Sequence, residues 1–476
     1  MTKIKFSTSQ FLAALALAAA IGLMVQAINI NPAAALEAAE TAEEDVSKPT
    51  VSDEAGLIAA IANESVTEIT VAGDFTVTQP LTVNRDGALV IDLGGHTITS
   101  ADAGHLLTVE KGQVTIKNGT LERTNGANAV IVVRGANEDQ GANYATVTVA
   151  SDVTLKSSGY CAMIGANLSG AKNHAYGAKL VFNGNCEGLA GLYVNGTIQD
   201  TAGNIPEITV GNSVDIKASN TGIYAAGYAK WDIGRAVITA GNAVTRDIDG
   251  TGVGMKAGIL NFNGTTITAY GNGTPSGNNN GFSGAGAVFQ IENNGNYAGG
   301  VKITINGGNY TSTYQPVFLQ HEDSTDNLNA IAINGGTFKA PAGVAIFQLT
   351  EDDQSDQKVK ITAGVFSAEI PPTYLEGDWQ QKKDENGNWV IGSATTTPST
   401  PEKPSDDKDK DNAAGTDIET PNTGALNRSA AVNAIASVSL AVSIFVAAGI
   451  FYNRFKVYHR AKRYVPHPSA ERIRRK

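Results

Sequence analysis

A short segment comes round three times in the second half of the chain. Ile305-Asn306-Gly307-Gly308-Asn309-Tyr310 returns as Ile333-Asn334-Gly335-Gly336-Thr337-Phe338 and as Ile361-Thr362-Ala363-Gly364-Val365-Phe366, each copy 28 residues after the last. A second series, Val288-Phe289, Val317-Phe318 and Ile346-Phe347, repeats at 29. Two apolar series with nearly one shared period describe a chain that returns to the same place once per coil. Each coil then buries its inner side against its neighbours. Tandem immunoglobulin-type sandwiches would repeat at about 100 residues, so the period excludes them over residues 286–370. Within each copy apolar residues alternate with Thr, Asn or Lys, the period-2 pattern of strands with one buried face. Asn-Gly and Gly-Gly pairs supply corners that need positive φ.

Earlier segments follow the same grammar with looser spacing. Val90-Ile91-Asp92-Leu93-Gly94-Gly95-His96-Thr97-Ile98 is followed by Val114-Thr115-Ile116-Lys117-Asn118-Gly119-Thr120-Leu121. Val147-Thr148-Val149, Leu180-Val181-Phe182, Ile208-Thr209-Val210 and Ile259 to Ile267 continue it. These steps resemble the pectin-lyase-like right-handed parallel β-helix proteins, above all their non-enzymatic surface versions. The resemblance implies an all-β solenoid over residues 51–370. With about 28 residues per coil it would hold about 11 coils, and at ~4.8 Å per rung it would form a rod of roughly 50 Å. A solenoid must blunt its open ends. Ser52-Asp53-Glu54 offers an N-cap and first-turn acids to a short helix, with Leu57, Ile58 and Ile61 on one face to cover the first rung. At the other end, in residues 371–393, Asn386-Gly387 signals a hairpin between Trp379–Lys383 and Asn388–Ile391, a cap for the last coil.

Charge is distributed by segment. Residues 1–35 hold Lys3 and Lys5 and no acid, residues 424–476 hold ten Lys/Arg against Glu471, and residues 36–423 are left with 23 bases and 45 acids, a net of −22. An acidic body disfavours nucleic-acid binding, which needs a basic face. Gly is abundant (52 of 476) without a collagen period, as a turn-rich β protein requires. Lys3 and Lys5 precede an apolar run from Phe11 to Ala27 and small-residue exits ending at Ala35, the layout of a secretory signal peptide; an uncleaved N-terminal anchor is the alternative. Residues 36–50 form an acidic linker, and residues 394–419, rich in Thr, Pro and alternating charge, form an extended stalk.

Residues 420–476 complete the layout. Ser429 to Tyr452 is long enough to span a bilayer as a helix, and the bases from Arg454 to Arg463 place the C-terminus in the cytoplasm. Thr420-Pro421-Asn422-Thr423-Gly424 stands just before the span. This arrangement resembles the LPXTG-type sorting signals of cell-wall-anchored surface proteins. The resemblance implies a sortase as partner, cutting between Thr423 and Gly424 and joining Thr423 to a cell-wall amine. Thr420 stands where the family has Leu, and the tail is longer than the family's, so a permanent membrane anchor is the alternative. Both readings make the protein exported and tethered at the cell surface.

In the enzymes of the pectin-lyase-like group, an outer groove carries clustered Asp, or Ca²⁺ with Arg or Lys as base. The hydrolase motifs are absent as a set, and His96, His105, His174 and His321 are scattered. One acidic pairing survives: Glu322-Asp323 and Glu351-Asp352 are 29 apart, so they are expected on neighbouring coils, joined by Glu292 and Asp353. Carboxylates at such spacing stay solvated, raise a pKa, or bind a cation such as Ca²⁺. Tyr310, Tyr314, Trp379 and Trp389 are candidates for stacking sugar rings, against the alternative of cap packing. Tyr224, Tyr228 and Trp231 form a second aromatic cluster of the same ambiguity. Cys161 and Cys186, 25 apart, stand one above the other in this reading, as a disulfide or as two core thiols. The functional expectation is a non-enzymatic adhesin presenting its rod to glycans or a partner cell. A surface-anchored polysaccharide lyase or hydrolase is the alternative.

Overall fold

The computed structural model describes residues 47–393 except 103, 137–143, 166–174, 196–203, 243–249, 275–284, 293–298, 321–327 and 351–357. Contacts divide the chain into a unit over 1–398 and a second over 399–476, which lies wholly outside the described residues. The expected signal segment 1–35, the expected stalk 394–419, Thr420 to Gly424 and the apolar span 429–452 also fall outside the described residues. Among the described residues no helix is long and apolar enough to cross a membrane.

The described part is all-β, with 28 strands. Apart from the two strands of the terminal hairpin, they stack in three parallel columns, the inner strands hydrogen-bonded to their counterparts one coil earlier and one coil later. This is the arrangement of a parallel β-helix. The first column shows why the sequence folds so. Ile69, Ile91, Ile116, Val149, Phe182, Val210, Ile233, Phe262, Ile305, Ile333 and Ile361 pair in one unbroken register and are all buried. Their outward neighbours at alternate positions are mostly Thr, Asn, Asp or Lys and are exposed or half-buried. The 28-residue step thus appears as Ile305–Ile333–Ile361 in the first column, and the 29-residue step as Phe289–Phe318–Phe347 in the third.

Several strands, among them Val153–Ile164 and Asn185–Val194, run round the corner from the second column to the third, and the pairing register slips at the bend. Other corners depend on glycine. Gly308 has φ +107°, and a Cβ there would stand 2.1 Å from the Thr265 carbonyl oxygen, so the corner predicted from Gly307-Gly308 excludes any larger residue.

Both ends are closed. Helix α1, Glu54–Ala62, is capped by Asp53, whose side chain accepts a hydrogen bond from the Gly56 N–H at 2.8 Å. Leu57 and Ile61 are buried and Ile58 packs against the core, as its face predicted. At the other end Trp389–Ser393 pairs antiparallel with Val359–Phe366 and with Trp379–Lys383. Asp384 holds the turn by accepting from the Asn386 and Asn388 N–H groups.

Cys161 and Cys186 form a disulfide with Cα atoms 6.0 Å apart. The expected superposition within one column is not what joins them. Cys186 sits in the second column over Leu155, whereas Cys161 belongs to the third-column part of the preceding coil. The bond crosses the buried corner diagonally, tying one coil to the next.

Candidate functional site

The third column differs from the other two on its outer side. Val132, Met163, Tyr193 and Tyr224 occupy one outward row on four successive coils, followed by Gly254, Gln290 and Leu319. Most of these residues are apolar although they point away from the core. Val132, Met163 and Ala129 form a small buried cluster of their own, covered by Tyr160 and Tyr193. Tyr160, Tyr193 and Tyr224 are half-buried and stacked, with ring centroids 4.7 Å and then 5.2 Å apart. Because the faces of the rings lie on each other, the tract offers edges and hydroxyls to a partner, along the direction in which coils accumulate.

A polar row runs beside it, two residues on. Each backbone N–H of Arg134, Asn195, Lys256 and Glu292 donates to a carbonyl of the preceding coil, at 2.9, 3.0, 2.9 and 2.7 Å. The row begins with Glu110, whose carboxylate holds the Arg134 guanidinium at 3.1 Å. Asn195, Lys256 and Glu292 are buried. The Lys256 ammonium lies 5.7 Å from the centre of the Tyr224 ring, within cation–π range. Burial pushes the Lys256 amine below the ordinary lysine range, against the opposing pull of Glu292. Glu292, expected to join an acidic group, follows Lys256 in this row; the other members of that group lie outside the described residues.

The four residues proposed for sugar stacking do not come together. Tyr310 is wholly buried in the second column; it stacks on Phe338 at 5.0 Å and donates its hydroxyl to the Gly307 carbonyl at 2.8 Å. It points inward because it continues the Ile238–Ile267 row, and so it cannot meet a ligand. Trp379 and Trp389 pack against the core at opposite ends of the hairpin, facing Ser393 and Lys383 respectively. Tyr314 is half-buried. In the second cluster Tyr228 and Trp231 are buried, and only Tyr224 joins the outer tract. Of the histidines, His96 approaches Asp74 at 3.2 Å, and His105 accepts from the Ala129 N–H at 3.0 Å. Burial, helped by Arg123, lowers the pKa of His105.

Glu322, Asp323, Glu351, Asp352 and Asp353 lie outside the described residues. Among the described residues no group of three or more His, Cys, Asp and Glu could hold a metal ion. The aromatic tract itself had a signal in the sequence: residues 132, 163, 193 and 224 advance by 31, 30 and 31, close to one coil length. It is masked by the mixed identities of Val, Met and Tyr at those positions.

A parallel β-helix whose third column carries an outward aromatic tract defines a solenoid with one specialised side. A family model for a pectate lyase-like adhesive domain matches residues 48–183, which take in the helical cap, the first coils and Tyr160. No curated protein and no solved structure matches the chain. The same columns continue without interruption past residue 183, so the architecture of the matched segment extends to Phe366.

Proposed function

We propose that this chain is an exported, envelope-anchored surface protein whose β-helix acts as a non-enzymatic adhesin. It binds an extracellular glycan or a partner-cell surface along the outer side of the third column. The observation that carries the reading is the half-buried Tyr160–Tyr193–Tyr224 tract, standing on a solenoid whose first part is similar to an adhesive domain. Tyrosines suit such a role because each offers an amphipathic ring edge at low ordering cost. A glycan array and a cell-adhesion assay on residues 36–393, which end close to the boundary of the compact unit, test it. Binding that survives Tyr193→Ala and Tyr224→Ala together would remove the tract from the account.

Anchoring belongs to the same proposal. Residues 1–35 direct export, Thr420 to Gly424 present a sortase with its cleavage site, and the span at 429–452 holds the chain in the membrane until the Thr423 carbonyl passes to a cell-wall amine. Mass spectrometry of wall-released protein checks this: a C-terminus at Thr423 linked to wall material is expected, and an intact Thr423–Gly424 bond sinks it.

One observation favours the enzymatic alternative. Lys256 combines burial, a lowered pKa and a place on the same outer side, attributes of a proton-abstracting base in a polysaccharide lyase. Release of unsaturated oligosaccharides by the wild type, abolished in Lys256→Met, would establish that reading over the adhesin.

A further inference from the structure

The disulfide and the aromatic tract share two strands. Val153–Ile164 carries Tyr160 and Cys161, and Asn185–Val194 carries Cys186 and Tyr193. Their pairing runs in register from Thr154↔Asn185 to Ser157↔Gly188, slips, and resumes at Tyr160↔Ala190. The slip leaves Ser158 and Gly159 opposite Leu189 alone, a bulge that bends the strand and interrupts its ladder.

The two ring contacts of the tract differ in what holds them. Tyr193 and Tyr224 are register partners, so the ladder itself stacks their rings, at an interplanar angle of 10°. Tyr160 has Ala190 as its backbone partner, yet its ring reaches three residues further to stack on Tyr193, at an angle of 23°. That off-register contact also closes over Met163 and Val132. Ladder pairing does not supply this placement, and the bulge just before Tyr160 loosens what pairing there is.

Cys161 is the next residue. It is wholly buried and bonded to Cys186, which lies on the far side of the bulge in the neighbouring coil. We infer that the Cys161–Cys186 disulfide is a positioning crosslink for the aromatic tract: it pins the slipped corner so that Tyr160 rests on Tyr193. The role in recognition rests on the reading of this side as the binding surface; the placement of the ring does not.

The test uses the full chain labelled with 3-fluorotyrosine, with Tyr160→Phe, Tyr193→Phe and Tyr224→Phe variants assigning the ¹⁹F resonances. In the Cys161→Ala/Cys186→Ala chain, the Tyr160 and Tyr193 resonances are expected to move toward the free-amino-acid position. The Tyr224 resonance and the far-ultraviolet circular dichroism stay unchanged. Affinity for a glycan identified on the array falls by about tenfold, since the ring must then be ordered on binding. Cys161→Val/Cys186→Ala, which refills the core, serves if the first variant does not fold. Unchanged Tyr160 and Tyr193 resonances in a folded cysteine-free chain would overturn the inference. So would failure of both variants to fold, which would make the bond a staple for the coils rather than for the rings. An array without a ligand would defeat the adhesin reading and leave the resonance result to decide the positioning role.

Discussion

Phe338→Ala tests whether the aromatic ladder of the second column holds the last coils together. Phe338 is wholly buried, stacks on Tyr310 at 5.0 Å and on Phe366 at 4.8 Å, and lies 6.0 Å from the Phe318 ring. Removing a buried phenylalanine ring costs about 3–5 kcal/mol through lost transfer energy and the cavity left behind. Each stacked neighbour is worth about 0.5–1.5 kcal/mol beyond buried area, and two are lost here, which places the expectation near the top of that range, about 5 kcal/mol. With a urea dependence of about 3 kcal/mol per molar, the midpoint falls by about 1.7 M. Because each coil leans only on its neighbours, the loss is expected first between Asn309 and Phe366, where limited proteolysis would register new cleavage. Leu189→Ala, at a site 42% exposed, is the control and should stay within about 0.5 kcal/mol. A Phe338→Ala cost below about 1 kcal/mol would refute the idea that stacked rings carry this end of the solenoid.

Three further outcomes are expected. Burial pushes the Tyr310 hydroxyl well above the ordinary phenol range, so the folded state keeps a proton that the unfolded chain releases near pH 10; stability is intact below that pH and is lost above it by about 1.4 kcal/mol per pH unit. Urea midpoints taken across the alkaline range should fall less steeply in Tyr310→Phe, and equal slopes would contradict the account. At Gly94, with φ +61°, a Cβ would stand 2.2 Å from the Val71 carbonyl oxygen, whereas at Gly95, with φ +82°, nothing lies within 4 Å. Thermal unfolding should therefore show Gly94→Ala losing more than 2 kcal/mol and Gly95→Ala only the backbone strain of about 1 kcal/mol. Asp53→Ala should cost about 1 kcal/mol through loss of the helix cap and Asp53→Asn little, read by the same melt; equal losses would show that the cap bond is not what matters.

What the sequence made legible follows the interior. Ile305, Ile333 and Ile361 recur because one core position demands an aliphatic residue on every coil, and that demand is printed in the spacing. The end caps were equally readable, since Asp53 and Asn386-Gly387 are local signals that need no knowledge of the remainder. Tyr310 shows the limit. Its type suggested a ligand platform, but its place in the row after Ile267 turned it inward, and parity within the strand decides that, not residue type. The outer tract stayed hidden for the complementary reason. An outward position can hold Val, Met or Tyr without harm to the coil, so no single residue type repeats there to announce it.

The two caps close the ladder by unlike means: a helix at one end, a reversed strand at the other. Every coil between them meets a neighbour above and below that presents the same three columns of strands. A duplication or deletion of one whole period would leave both caps with the partners they have now. Length is thus a quantity that recombination between copies of the repeat could tune in the gene, moving the outer side of the third column nearer to or farther from the C-terminal cap.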